Sequence, residues 1–209
     1  MLRLTCLVLL GGVAPLSAQQ PPVWRLSVTA AAAWHSAAAH DTSGRSEIRA
    51  APGVTLGIGI VRLLHGWELD AGGELLSTRM QVRDSAFSIE ARTPGLSRMR
   101  VGVAASRTLA RLGGAELLAG GGGAVDTWSP PNDGIRIRIA AAARLALRVE
   151  AGRLALENTL GASLSPSFLE ARDLPDVYRP APFRTISSAL TVLFGLGPQA
   201  AARAPHASQ

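Results

Sequence analysis

Between Trp24 and Trp34 every second residue is apolar: Trp24, Leu26, Val28, Ala30, Ala32 and Trp34 share one parity, and Arg25, Ser27, Thr29, Ala31 and Ala33 share the other. A period of two belongs to a β-strand that shows different surroundings to its two faces. Ten residues at ~3.3 Å each span ~33 Å, and a strand tilted by ~40° rises ~25 Å, the height of an apolar band that a membrane-crossing strand must cover. An aromatic ring at each end of the apolar face marks the two interfaces.

The pattern is sharpest from Ile135 to Val149. Odd positions read Ile, Ile, Ile, Ala, Ala, Leu, Leu, Val, while Arg136, Arg138, Arg144 and Arg148 all fall on even positions. Ala, Leu and Arg are good helix formers, yet at ~100° per residue these arginines would scatter around a helix. Periodicity therefore outweighs propensity. The same test predicts strands over 23–34, 48–62, 67–80, 97–109, 114–127, 135–149, 153–165 and 184–196, an all-β chain of eight segments. Connections alternate between short (63–66, 110–113, 150–152) and long (35–47, 81–96, 128–134, 166–183), as in an antiparallel up-and-down transmembrane β-barrel with turns at one end and loops at the other.

The ends of the chain read differently. Residues 1–18 carry Arg3, an apolar run from Leu4 to Leu10 and a small-residue site ending at Ala18, the pattern of a secretory signal peptide. Gly11, Gly12 and Pro15 interrupt the run before the ~18 apolar residues a spanning helix needs. The barrel domain is then 19–196, and 197–209, with Pro198 and Pro205, is a flexible C-terminal tail. The one cysteine, Cys6, lies inside the signal, which leaves the mature chain no disulfide and no thiolate metal site.

Composition fits this picture. Hydrophobic residues make up 47% of the chain, more than a secreted soluble domain needs, and alternate positions of many strands can absorb them. The net charge of +6 comes entirely from arginine, since the chain has no lysine. Several of those arginines lie within alternating strands and not on one solvated patch, so a nucleic-acid partner is not expected.

In its signal, alternation, loop asymmetry and aromatic placement the chain resembles the small eight-stranded outer-membrane barrels of the OmpA/OmpX type over residues 23–196. The resemblance implies a porin-like Gram-negative cell-envelope protein in the outer membrane, both termini periplasmic, monomeric, in contact with outer-membrane lipid and lipopolysaccharide and inserted by the barrel assembly machinery. It implies membrane-interface aromatics at Trp24, Trp67 and Phe194 on the periplasmic side and at Trp34, Phe168 and Phe183 on the outer side. Aromatics are only 4% of residues, and the chain continues past the last strand instead of ending on its aromatic.

The inward parity collects the charges: Glu68, Asp70, Glu74, Glu116, Asp126 and Glu157 against Arg25, Arg98, Arg100, Arg136, Arg138, Arg144, Arg148 and Arg153. Joining the sixth and seventh strands at Glu150-Ala151 would set Arg144 opposite Glu157 and Arg148 opposite Arg153. Glu74 falls toward Arg98 and Arg100, and Asp126 toward Arg136. An eight-stranded barrel is just wide enough for side chains to fill, so the expectation is a paired structural network that plugs the lumen. A narrow passive pore is the alternative for the same residues.

Chemistry beyond that is thin. Gly120–Gly123 lacks the following Lys-Ser/Thr of a phosphate loop and reads as a strand segment where bulky inward side chains from opposite strands need room or where the wall bends sharply. A lipid A-modifying enzyme would need His35 or His40 with Ser36, Ser43 or Asp41, but adjacent residues on a strand point to opposite faces. No catalytic residue, metal ligand or cofactor is expected. The segment 166–183, with Tyr178 and four prolines, could dock a partner. A soluble lipocalin-like barrel would carry bulky apolar residues inside, where this chain has small or charged ones.

Overall fold

The computed structural model describes residues 24–64, 66–84, 86–90, 95–130 and 134–196. The expected signal peptide (1–18) and tail (197–209) lie outside these. In chain order the strands are β1 (Trp24–His35), β2 (Ala37–Asp41), β3 (Ser46–Ala50), β4 (Gly53–Leu64), β5 (Trp67–Thr78), β6 (Met80–Asp84), β7 (Ser88–Glu90), β8 (Leu96–Leu112), β9 (Ala115–Ser129), β10 (Arg136–Ala151), β11 (Leu154–Ser165), β12 (Tyr178–Pro180) and β13 (Phe183–Leu196). Eight of them close into an antiparallel barrel in the order β1-β4-β5-β8-β9-β10-β11-β13. Closure falls on β1, where Trp24 faces Arg62 of β4 on one side and Leu196 of β13 on the other. Every hydrogen-bonded neighbour in the barrel is therefore also the next barrel strand in sequence, apart from that closing pair.

Alternation sorts the wall. Large apolar side chains of outward parity are exposed on every side, among them Val28, Ile58, Leu75, Val103, Ile139, Leu160 and Leu190. Inward parity carries small, hydroxylated or charged residues, of which Ser27, Thr55, Glu68, Asp126, Arg148 and Thr191 are buried. Among the described residues no carboxylate stands on the outward parity of a barrel strand.

Three expectations are corrected. The first concerns the register between β10 and β11. Gly152, with φ of +67°, a backbone that a side chain would strain, places the two-residue turn at Gly152-Arg153, two residues beyond the expected junction at Glu150-Ala151. Ala151 then faces Leu154, Arg148 faces Glu157, and Arg144 faces Gly161. Parity survives the shift, so both arginines still point inward; Arg153 instead sits exposed in the turn.

The second concerns the long connections. Three of them form a five-stranded sheet in the order β12-β2-β3-β6-β7 beyond one end of the barrel. The expected strand 48–62 is divided at Ala51-Pro52, because proline lacks the N–H that would continue the ladder, and 67–80 is divided at Arg79. The third concerns Phe168 and Phe183, expected at a lipid interface but buried. Phe183 shares the inward parity of Thr185, and Phe168 follows the end of β11 as the chain folds back over the mouth. Trp24, Trp34, Trp67 and Phe194 are exposed on the outer surface.

The glycine run is a point of close approach in β9. A Cβ at Gly122 would overlap the Val103 carbonyl oxygen of β8, and one at Gly120 would overlap Ser106 and the Ala105 carbonyl. Only glycine lets the two strands pass at that distance.

Candidate functional site in the barrel lumen

The lumen is layered from the turn end to the loop end. At the turn end Val61, Ala155 and Leu193 form a small buried apolar cluster, beside which Arg25 donates to Glu150 at 2.7 Å. Above it Arg148, buried on β10, is held by two carboxylates: Nε donates to Glu157 of β11 at 3.0 Å, and Nη1 and Nη2 donate to Glu68 of β5. Thr159 gives its hydroxyl proton to the other oxygen of Glu157 at 2.9 Å. β5 and β10 are not neighbours, so the Arg148–Glu68 pair ties opposite walls of the barrel. Arg144 adds a parallel tie one layer up, donating to Asp70 at 2.8 Å and to Ser106 at 2.7 Å. Arginine suits these positions because its planar fork satisfies two acceptors at once.

A second charged layer lies toward the loops. Arg100 grips Asp126 with both arms, at 2.6 and 2.8 Å, and reaches Ser163 at 3.2 Å. Arg98 is buried beside it and meets Glu74 at 3.6 Å. Between the two layers lies a cavity of about 210 Å³, walled on the β1, β4 and β13 side by Ser, Thr, Ala and Gly. The expected pairing of Glu74 with Arg98 and Arg100 corresponds to a real neighbourhood; that of Asp126 with Arg136 does not. Asp126 belongs to Arg100, while Arg136 donates to Asp173 at 3.1 Å.

The mouth is closed by packing. Trp128, fully buried on β9, stacks on Phe168 (ring centroids 4.6 Å apart) and meets Phe183 edge-on at 5.4 Å; His35 stacks on Phe183 at 5.3 Å. Ala38, Ala39, Ile48 and Ala50 of the outer sheet and Leu76, Leu96 and Leu169 complete the cluster. The alanines of β2 and Ala50 of β3 let that sheet lie close over the rings. Residues 166–173 form a strap across the opening: Arg138 donates to the Ser167 carbonyl at 2.6 Å and to Glu170 at 3.1 Å, and Ser167 donates to the Ala38 carbonyl at 2.7 Å.

The side chains a hydrolytic centre would draw on at this end of the barrel have other partners. His35 Nδ1 shares a hydrogen bond with Thr185 at 3.1 Å, the Ser36 hydroxyl donates to the Ala37 carbonyl, and Asp41 accepts from Ser43 and the Arg45 amide. His40 is exposed on β2. Among the described residues no three His, Cys, Asp or Glu side chains are placed to hold a metal. Trp128 falls in 128–134, which the sequence pattern predicts as a loop, whereas β9 runs on through it; the signal for its inward place is the parity it shares with Asp126.

Wall and lumen together define a small closed barrel of eight antiparallel strands, apolar outside and charged within. Solved structures share this fold, among them the following two. One is the crystal structure of Neisserial surface protein A (NspA), with a TM-score of 0.57 and 11% identity, covering 83% of this chain and 97% of that one. The other is the outer membrane protein AlkL in DMPC lipid bilayers, with a TM-score of 0.50 and 12% identity, covering 90% of this chain and 97% of that one. No protein-family model matches the sequence, and no curated protein matches it.

Proposed function

We propose that this chain is a small integral outer-membrane protein of a Gram-negative envelope, monomeric and without catalytic chemistry, whose wall is structural and whose outer sheet makes the contacts that matter. The observation that carries this reading is the continuous exposed apolar belt of outward parity around a charged interior. Water does not tolerate a belt of that extent on a monomer, whereas hydrocarbon does. A buried charge network is the reverse of what a soluble binding barrel holds inside.

The rims support an orientation. Trp24, Trp67 and Phe194 stand at the turn end and Trp34 at the loop end, as interface aromatics do. Short turns and both termini of the barrel then face the periplasm, and the five-stranded sheet faces outward. Layered ion pairs at the turn end and the aromatic cap at the loop end support a lumen that does not conduct, and His35, held to Thr185, supports a non-enzymatic role. NspA and AlkL are a surface protein and an outer membrane protein by name, which supports the same compartment.

Membrane fractionation of expressing cells tests the reading. The protein is expected in the outer-membrane fraction, resistant to carbonate extraction, and to migrate faster on a gel unheated than boiled. Recovery in the soluble periplasm, or steady currents across a planar bilayer, would overturn it.

A further inference from the structure

Arg98 is placed at the roof of the lumen cavity, where the charged layer meets the aromatic cap. The other arginines that line this cavity, Arg100, Arg144 and Arg148, each donate hydrogen bonds to carboxylates. Arg98 does not. It is 2% exposed, its Nε and Nη1 have no hydrogen-bond partner among the described residues, and its ion pair with Glu74 is 3.6 Å long, beyond hydrogen-bond length. Asp126, the other acid of this layer, is already gripped through both oxygens by Arg100. A buried guanidinium with open donors is costly, and here it borders a cavity of about 210 Å³, room for several waters or a small organic molecule.

Water in that space brings no charge, and Arg98 and Arg100 set two cations on one face of β8. Their offset is incomplete on the Arg98 side. Trp128 lies over the guanidinium, its ring centroid 5.5 Å from Cζ, which fixes Arg98 from above and keeps bulk water away. Two further polar atoms of the cap, Trp128 Nε1 and His35 Nε2, also lack a partner among the described residues. Thr29, Ala31, Thr55 and Ser187 give the opposite wall short side chains and hydroxyls.

We propose that this cavity binds a small organic monoanion, a short-chain carboxylate, with its oxygens on the Arg98 guanidinium beneath the aromatic cap. The planar fork of arginine matches a carboxylate. Glu74 stands beside the same guanidinium and lines the cavity, so a dianion such as phosphate meets a like charge that a monoanion meets at half strength. The wall of small side chains leaves space for a body of a few carbons and would exclude a long chain.

The test is done in neutral detergent micelles, so it is independent of where the protein resides in the cell. Folded protein is titrated with sodium butyrate and with butyramide, the uncharged isostere, at constant ionic strength made up with sodium chloride, and tryptophan fluorescence is read with Trp128 as the buried reporter. Butyrate is expected to give a saturable change and butyramide none. Arg98→Gln is expected to weaken butyrate at least ten-fold, Arg98→Lys to weaken it less, and Arg111→Gln, exposed at the turn end, to leave it unchanged. An equal response to butyramide, undiminished binding by Arg98→Gln, or no saturable response from wild-type protein that migrates as folded would each overturn the proposal. Should Arg98→Gln not fold, the wild-type contrast between butyrate and butyramide and the Arg98→Lys titration decide it.

Discussion

The two halves of the lumen are built from the same alternation but are held by different forces. In the turn-end half every buried charge has a charge-assisted partner, and two of the ties cross the barrel to β5: Arg148 of β10 reaches Glu68 there as well as Glu157 of the neighbouring β11, and Arg144 reaches Asp70 there and Ser106 of β8. In the loop-end half closure rests on stacked rings and on a strap of residues 166–173, and one guanidinium, Arg98, is left partly unpaired. Ion pairs with full geometry resist piecemeal opening, because breaking one leaves a charge stranded in low dielectric. A cap of packed rings and single hydrogen bonds can open locally while the wall stays intact. One half is thus a brace and the other a cover, and the incomplete pairing lies under the cover.

The sharpest way to break the comparison is to remove the brace. Arg148→Ala leaves Glu68 and Glu157 buried without their cation, and a loss of about 4 kcal/mol in global stability is expected, read from denaturant unfolding of the lipid-reconstituted barrel. A loss below about 1 kcal/mol would mean that water already screens the pair and that the turn-end half is no brace. Trp128→Ala comes next. It removes the centre of the ring cluster and is expected to cost about 3 kcal/mol, but locally: amides of β2, β3 and β6 should lose hydrogen-exchange protection while those of β10 and β11 keep theirs. If protection falls equally in both sets, cap and wall are one cooperative unit.

How far the sequence foretold this division follows from which rules were local. The wall was legible because parity is a property of each strand alone: the even arginines of Ile135–Val149 and the odd polar residues of Arg25–Ala33 face inward in the folded chain. Register was less legible, since it turns on one dihedral. Gly152 at positive φ sets the turn two residues later along the chain and hands Glu157 from Arg144 to Arg148. The cap was not legible. Its strands are three to five residues long, too short for a period to declare itself, and its rings come from β1, β9, β13 and the strap, far apart in sequence. Phe183 carried a usable signal, the parity it shares with Thr185; Phe168 carried none. The open donors of Arg98 were invisible in principle, because pairing depends on where Asp126 and Glu74 end up in space.

The smallest effect concerns how the strap is fastened. Glu170 lies outside the barrel strands, and the hydrogen bond from Arg138, assisted by Arg172 and Arg136, holds its carboxyl below the usual value of 4.5. The docked strap therefore binds a proton less readily than the free strap does. Its fastening is complete above the ordinary carboxylate range and fades as pH falls through that range toward the docked value. Protection of the Leu169 and Tyr178 amides, which bond to Ser167 and Pro175, should hold steady from about pH 8 to pH 6 and decline below about pH 4.5. Glu170→Gln should lower that protection at neutral pH by a modest factor and flatten its decline in acid, since the amide has no charge to lose. The wall gives the internal reference, for amides of β10 and β11 have no reason to follow Glu170. An acid decline of the same size in Glu170→Gln would shift the fastening to Asp173, whose bond to Arg136 is the other charged tie between strap and barrel.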